Sequence, residues 1–340
     1  MNAPIHSQRH RQLGLSLVEL MVALSIGTFL LAGTISVFGK TRDLYRTNEA
    51  AARLQETARY AMSTLEADLR MANYWGLMSR ADLIENGPKL DLANLPAVDP
   101  SYALPAELTG YAGTIDECGA MWAVKLPAYI EATDSYTLGC AALGAGAVAG
   151  SDTLTIRRAS TQVIDAGGLA ASAGQIKLQT SRVQGSLFAS ATLPAGYLPP
   201  LSETRALVVN GYYIGQDSDQ RAGTPSLRRK QLDVAGGAPT ITDLQIVPGV
   251  EDLQVELGAD FNEDQNADYF VQPGTAIPAG DSIVAVRIWL LVRAEQQESG
   301  FTDGRTYDYA SRTGASVYAP GGAFRRVLVS KTIALRNTRR

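Results

Sequence analysis

A nearly unbroken apolar run lies near the amino terminus, from Leu15 to Phe38. These 24 residues contain one formal charge, that of Glu19. A helix that rises ~1.5 Å per residue would be ~36 Å long over this run, which exceeds the ~30 Å hydrocarbon core of a bilayer. The pattern therefore predicts a transmembrane helix over residues 15–38, preceded by a short basic segment, residues 1–14.

The apolar pattern then takes on helical spacing and extends the helix. Small and apolar residues recur at steps of three and four from Ala51 to Ala72, and no proline interrupts the segment. This spacing predicts one continuous helix to about Tyr74, amphipathic over residues 39–76, with charged residues such as Asp68 on the other faces. The alternative is two helices broken near Gly39, because glycine is a poor helix former.

The pattern downstream indicates short strands. Residues 77–150 are rich in proline and predict an irregular lobe. In the body, residues 151–340, several segments show strand patterns. Apolar and polar residues alternate in 153–156 and 253–257, aliphatic residues recur at every second position in 284–292, residues 207–214 form an apolar run, and residues 327–335 form a last strand. The predicted fold class is α+β: a long amino-terminal transmembrane and amphipathic helix packed on a large, mostly antiparallel β-sheet body.

The residues around Gly14 resemble those of the type IV pilin family. A short basic leader ends in Gly14, and Glu19 is the fifth residue after it, inside an apolar helix. The resemblance implies that a prepilin peptidase cuts between Gly14 and Leu15 and methylates the new amino terminus, although the commonest first residue in the family is phenylalanine. In the family the glutamate pairs with the amino terminus of a neighbouring subunit, which implies an assembly role for Glu19.

Other export signals fit the apolar run less well. A secretory signal is cut at a small-residue site after the run, and residues 36–39 do not supply one. A lipoprotein signal needs a cysteine where Thr34 stands. A plain membrane anchor, with Glu19 merely reaching the interface, remains an alternative. A carboxylate in hydrocarbon costs ~3 kcal/mol or more, so it usually has a partner and a function.

Further strings resemble the PilW family of minor pilins. They are Asp68–Gly76, Gly211–Ile214 with Pro225–Arg229, Gly249–Val255 and Phe324–Asn337. The resemblance implies a minor pilin that helps prime and assemble a type IV pilus, the organelle of twitching motility, within a tip complex. A type II secretion minor pseudopilin of the J type, and a pilus-tip adhesin or other binding module, remain alternatives.

The same resemblance implies partners and a location. The partners would be other minor pilins, the major pilin, a PilY-type tip adhesin and the prepilin peptidase. The protein would cross the inner membrane once with its body in the periplasm, and would later be incorporated into the pilus at the cell surface.

Composition narrows the chemistry. Both histidines, His6 and His10, lie in the leader, so a cleaved chain has none, which removes histidine-based catalytic triads and histidine metal sites. Without Arg9 and Arg11 the chain carries 28 basic and 34 acidic side chains, a net charge of −6. We therefore expect neither an enzyme nor a nucleic-acid partner.

The two cysteines, Cys118 and Cys140, are too few for a four-thiolate zinc site. In an exported domain a single disulfide is the expected state. Two free buried thiols are the alternative.

One loop carries side chains that are typical of a metal site. Oxygen-bearing residues alternate there, namely Asp260, Asn262, Asp264, Asn266 and Asp268. The first three match the opening of an EF-hand calcium loop, but Gln265 stands where glycine is needed and Val271 stands where a bidentate glutamate is needed. Two interpretations remain: a calcium site, or a polar turn in which Asp and Asn serve turn geometry. No other cofactor is predicted.

Overall fold

The computed structural model describes residues 16–85, 103–278 and 280–338. The leader, Gly14 and Leu15 lie outside these residues. The chain forms two units, one up to Ala52 and one from Arg53 onward.

Helix α1 runs without a break from Leu17 to Leu69 and passes through Gly39. The predicted single helix is therefore observed, and the alternative with a break at Gly39 is not. Hydroxyl groups within the apolar run bond back to the helix, as Ser25 Oγ does to the carbonyl of Met21 at 2.6 Å. Such bonds satisfy polar side chains without an outside partner.

The helix ends about one turn earlier than predicted. Residues 70–73 form a turn after Leu69, and Asn73 has a left-handed φ of 61°. The amide nitrogen of Asn337 donates to the carbonyl oxygen of Ala72 at 3.1 Å, and the backbone N–H of Asn73 donates to the carbonyl of Arg157 at 3.3 Å. These bonds draw the chain away from the helix axis, and Asn73 provides the left-handed residue that follows a helix end.

Eight strands form the first sheet of the body. They are β1 (Ile84–Glu85), β2 (Ile130–Thr133), β3 (Thr153–Ile164), β4 (Lys177–Ser181), β5 (Gly185–Phe188), β6 (Ser202–Gly215), β7 (Ser226–Ala235) and β8 (Ala238–Pro248). Their order is β1-β5-β4-β6-β3-β2, and β7 joins β6 to β8. Each pair is antiparallel except β1 with β5.

Four further strands form a second, fully antiparallel sheet. They are β9 (Val250–Asp260), β10 (Tyr269–Val271), β11 (Ser282–Arg293) and β12 (Arg326–Ala334), in the order β10-β9-β11-β12. The prediction of antiparallel strands is confirmed, but it described one sheet where two are present. Asp152 joins them: its N–H donates to the carbonyl of Leu253 at 2.8 Å, and its Oδ2 accepts from the N–H of Val255 at 2.7 Å.

Two apolar cores lie on opposite faces of the first sheet. Alternate residues of β6 serve them in turn, Tyr212 and Ile214 facing one core and Leu207 and Val209 facing the other. The first core receives the α1 face from Leu54 to Leu69 and also the inner face of the second sheet. The helix is thus bound to the body by side chains of both sheets.

The second core joins the first sheet to the lobe of residues 103–150. The helices among the described residues of this lobe are short, as its prolines predicted: α2 (Ala106–Thr109) and α3 (Ala112–Ile115). Strand β2 also lies in this range. The predicted disulfide is present, with Cys118 and Cys140 joined by an S–S bond of 2.00 Å. A later single-turn helix, α4 (Gly168–Ala171), connects β3 to β4.

Candidate assembly site on the amino-terminal helix

The helix begins with a reciprocal cap that contains Glu19. The N–H of Glu19 donates to Ser16 Oγ at 3.2 Å, and the N–H of Ser16 donates to Glu19 Oε2 at 3.4 Å. This is a capping box, in which a serine and a glutamate three residues later satisfy each other's backbone N–H groups. Among the described residues no cation contacts the carboxylate, so its charge is available to a partner outside them.

The helix surface that follows is apolar and exposed. Its large side chains between Leu17 and Phe38 are each more than half exposed, from 52% at Val22 to 80% at Phe29. The mean hydropathy reaches 2.1 over an 18-residue window, which makes α1, by length and composition, able to cross a membrane. An apolar surface of this extent requires a membrane or other chains to cover it.

A buried carboxylate, Asp68, fixes the other end of the helix on the first sheet. Asp68 is 5% exposed, and its Oδ1 accepts from Arg158 Nε at 2.6 Å. Its Oδ2 accepts from Asn210 Nδ2 at 2.7 Å and from the hydroxyl of Tyr212 at 3.0 Å. A buried charge with three donors holds one geometry, because losing any donor would leave it uncompensated.

The expectation that Asp68 lies on a solvent-facing side of the helix was therefore wrong. Asp68 is three residues after Leu65 and four before Ala72, so it shares their buried face. Its position on the apolar face was a signal in the sequence, because a lone acid there indicates a buried polar contact.

A second contact, which we call the asparagine clasp, joins Asn73 to Asn337. Asn73 Nδ2 donates to the carbonyl of Asn337 at 2.8 Å, and Asn337 Nδ2 donates to the carbonyls of Arg70 and Ala72. Trp75, which is fully buried, donates from Nε1 to Asn73 Oδ1 at 2.6 Å. The clasp provides partners for carbonyl groups that a helix end otherwise leaves unpaired.

An exposed ion pair lies beside these contacts. Lys331 Nζ of β12 is 2.6 Å from Glu66 Oε2, and Arg70 Nη2 is 2.5 Å from Glu66 Oε1. The hydrogen bond from Lys331, together with the charge of Arg70, lowers the pKa of the Glu66 carboxyl. The helix end is thus held by buried and exposed polar contacts with strands of both sheets.

In the loop after β9, the polar side chains accept hydrogen bonds from backbone N–H groups of the same loop. Asp260 Oδ1 accepts from the N–H groups of Asn262 and Glu263, and its Oδ2 accepts from the N–H of Gln265. Further bonds of the same kind link side-chain oxygens of Asn262, Asp264 and Asp268 to the N–H groups of Asp264, Asn266 and Phe261. In the part of the chain that the structure describes, no group of three His, Cys, Asp or Glu side chains is placed to hold a metal ion. These contacts are those of the polar-turn interpretation.

Two family models match this sequence. The Prokaryotic N-terminal methylation motif matches residues 9–35, which include Gly14, Leu15 and Glu19. The model for Type IV Pilus-assembly protein W matches residues 211–337, from β6 to the asparagine clasp.

Individual proteins also match parts of this chain. The pilin-like protein PilA3 of Thermus thermophilus is 39% identical over 64 residues, which are 18% of this chain and 28% of that protein. This chain thus matches less than a third of the length of that relative. A solved type IV-like pilin, TTHA1219 from Thermus thermophilus, matches 49% of this chain and 86% of its own at 19% identity, with a TM-score of 0.26. That score is too low to support an argument about the fold.

The methylation motif and the apolar helix that follows it are features of type IV pilin-like proteins, and this chain resembles that class. The match over residues 211–337 goes further and, with the motif, supports a type IV minor pilin of the PilW family. The resemblance read from Gly14, Glu19 and the internal strings is confirmed.

Proposed function

We propose that this chain is a non-catalytic minor pilin that helps prime and assemble a type IV pilus as part of a tip complex. The observation that carries the proposal is the exposed apolar helix, whose Glu19 carboxylate meets no cation among the described residues. A helix of this kind suits lateral packing with the helices of other pilins, because an unpaired charge in an apolar environment strongly favours an opposite charge.

The proposed partners follow from that role. They are other minor pilins, the major pilin, a PilY-type tip adhesin and the prepilin peptidase, with the body in the periplasm before assembly and at the cell surface afterwards. The match to a pilus-assembly protein over residues 211–337 favours a pilus over a secretion system.

A pair of substitutions at Glu19 tests the assembly role. Glu19→Gln keeps the capping box, since glutamine serves at that position, but removes the charge; Glu19→Ala removes both. We expect both variants to reach the membrane with the Cys118–Cys140 disulfide intact. Less of the other minor pilins should co-purify with them, and the cells should carry fewer surface pili. Substitution of Glu56, an exposed carboxylate of the same helix, is the control and should change neither measurement.

The outcomes of this pair separate two roles for Glu19. Loss of piliation in Glu19→Ala with full recovery in Glu19→Gln would assign Glu19 to the helix start and refute charge pairing. Normal piliation in both variants would refute any assembly role for this residue.

Processing of the leader is tested by mass spectrometry of the chain from membranes. The expected mature chain begins at Leu15 and carries an N-methyl group. A chain that still begins at Met1 in piliated cells would contradict the pilin role.

A further inference from the structure

The tip of the β4–β5 hairpin presents two unusual side chains to solvent. The N–H of Ser181 donates to the carbonyl of Gln184 at 2.9 Å, which closes a two-residue turn made of Arg182 and Val183. Val183 is 78% exposed at the tip of this turn. Because its side chain lies in solvent, it adds little to the packing of the hairpin.

The loop before β6 lies opposite this tip. Leu198 and Leu201 are 63% and 65% exposed, at the two ends of a short 3₁₀ turn. Leu77 adds a further exposed side chain. The hairpin tip, the loop before β6 and Leu77 together line a groove of about 500 Å³. We call it the hairpin groove and define it by its lining residues Leu77, Arg182, Val183, Tyr197, Leu198 and Leu201.

Both walls of the hairpin groove are held by their own hydrogen bonds. Ser181 Oγ accepts from the N–H groups of Val183 and Gln184, at 3.3 and 3.1 Å. On the other wall, the N–H of Leu201 and the hydroxyl of Ser202 donate to the carbonyl of Leu198, at 2.9 and 2.8 Å. A groove fixed in this way loses little conformational entropy when it is filled.

Two polar groups of the groove have unmet bonding capacity. The hydroxyl of Tyr197 is buried and has no hydrogen-bond partner among the described residues. Burial, and then the nearby charge of Glu85, raise the pKa of Tyr197 to about 12, so the hydroxyl keeps its proton and can donate it. Arg182 is exposed and contacts no carboxylate in the described part of the chain. The groove therefore offers an exposed cation beside apolar walls, whereas the Tyr197 hydroxyl lies beneath the surface.

We propose that the hairpin groove binds a segment of a neighbouring pilin-like subunit that carries aliphatic side chains and one carboxylate. The aliphatic side chains cover Leu77, Val183, Leu198 and Leu201, and the carboxylate pairs with Arg182. The inference rests on the proposed function, because assembly is what supplies a neighbouring subunit.

A lipid surface fits the same groove less well. A single arginine is far from the cluster of basic residues that anionic membranes attract. Glu85, whose charge reaches Tyr197, would be repelled by anionic headgroups. The chemistry of the groove thus favours a protein segment.

Photocrosslinking in piliated cells tests the proposal on the full chain. A benzophenone amino acid at Val183 should form a covalent adduct with a second protein, which peptide mass spectrometry identifies by its own prepilin motif and by an acidic residue in the linked peptide. The control position is Val163, an aliphatic residue of β3 that is 53% exposed and does not line the groove. It should give no such adduct.

Substitutions at Arg182 test the charge. We expect Arg182→Glu to lower the yield of the Val183 adduct at least tenfold and Arg182→Lys to retain it. Because the side chain is exposed, both variants should keep the disulfide and the melting temperature of the parent. No adduct at Val183, an adduct with lipid or with a protein that lacks a prepilin motif, or equal yields from both variants would overturn the proposal.

The result can be separated from that for Glu19. Loss of piliation in Glu19→Gln without any Val183 adduct would leave the proposed function in place and refute the groove. Unchanged piliation in Glu19→Gln together with a Val183 adduct to a pilin would retain the groove and refute charge pairing by Glu19.

Discussion

Two stretches of one helix differ in what covers their apolar side chains. Between Leu17 and Phe38 every large apolar side chain is more than half exposed, whereas Leu65 and Leu69 farther along are fully buried. Both stretches are apolar and helical, so neither property decides which is covered by the chain itself. What differs is the presence of strands whose alternate residues meet the helix face, as β6 and β11 do. The first stretch depends on a membrane or on other chains.

The largest expected effect is the difference between two leucine substitutions, one in each stretch. Leu65→Ala should lower the free energy of unfolding of the body by about 3 kcal/mol, because it removes a fully buried side chain and leaves a cavity. Leu31→Ala, at a side chain that is 61% exposed, should leave it unchanged. Urea unfolding of the full chain in detergent, followed by tryptophan fluorescence, measures both. Equal losses would show that the two stretches do not differ as described.

A smaller effect is expected from the acids at the end of the helix. Asp68→Asn should cost about 2 kcal/mol, because Arg158 loses its buried carboxylate while Asn210 and Tyr212 keep an acceptor. Glu66→Gln, which loses only exposed pairs with Arg70 and Lys331, should give no measurable change. The same unfolding assay compares them. If Asp68→Asn proved neutral, packing alone would hold the helix on the sheets.

Asp152, unlike Asp68, should destabilise the body, and this effect should grow as the pH rises. Burial, opposed by the bond from the Val255 N–H and reinforced by the charges of Asp134 and Asp252, raises the pKa of Asp152 to about 8. With the folded-state value raised above the ordinary 3.8, stability is full below that lower value and is lost as pH rises toward 8.

Asp152→Asn removes this titration and keeps an oxygen for Val255. We expect the variant to gain stability over the parent by about 1 kcal/mol per pH unit between pH 5 and 8, against a limit of about 1.4 kcal/mol per unit for one proton. Melting curves at several pH values measure the gain. A difference that does not vary with pH would contradict the raised pKa.

The smallest effect concerns the loop after β9. Its side-chain oxygens already accept backbone N–H groups, so millimolar calcium should leave the melting temperature of the full chain unchanged. Asp264→Ala provides the matched variant. A calcium-dependent rise in melting temperature that Asp264→Ala abolishes would establish the calcium interpretation in place of the polar turn.

Elements with one regular period could be predicted from the sequence. The helix shows a spacing of three and four, and β11 has an aliphatic residue at every second position from Val284 to Val292. Strand β7 was missed because Arg228 and Lys230 occupy its buried positions, where pairing with Asp243 replaces apolar packing. A pattern of hydrophobic residues cannot reveal a strand whose interior is ionic.

For a related reason, the sequence predicted the amino-terminal part of the candidate site and missed the contacts at the other end of the helix. Gly14, Leu15 and Glu19 belong to a short contiguous string, so their resemblance could be read directly. The anchor of Asp68 and the division into two sheets depend on residues such as Asn210 and Asp152, which lie far apart in sequence. No local pattern brings such residues together.

The asparagine clasp sets the time at which α1 acquires its final environment. It joins residues 264 positions apart, so its two members leave the ribosome on the order of ten to fifty seconds apart at usual synthesis rates. Contacts of such high contact order form late. Until β12 has been made, the Leu54–Leu69 face lacks part of its cover and is available to chaperones, while the membrane run ahead of it is ready for insertion. Membrane entry can therefore precede folding of the body, and the cover of the Leu54–Leu69 face is complete only when β12 has been made.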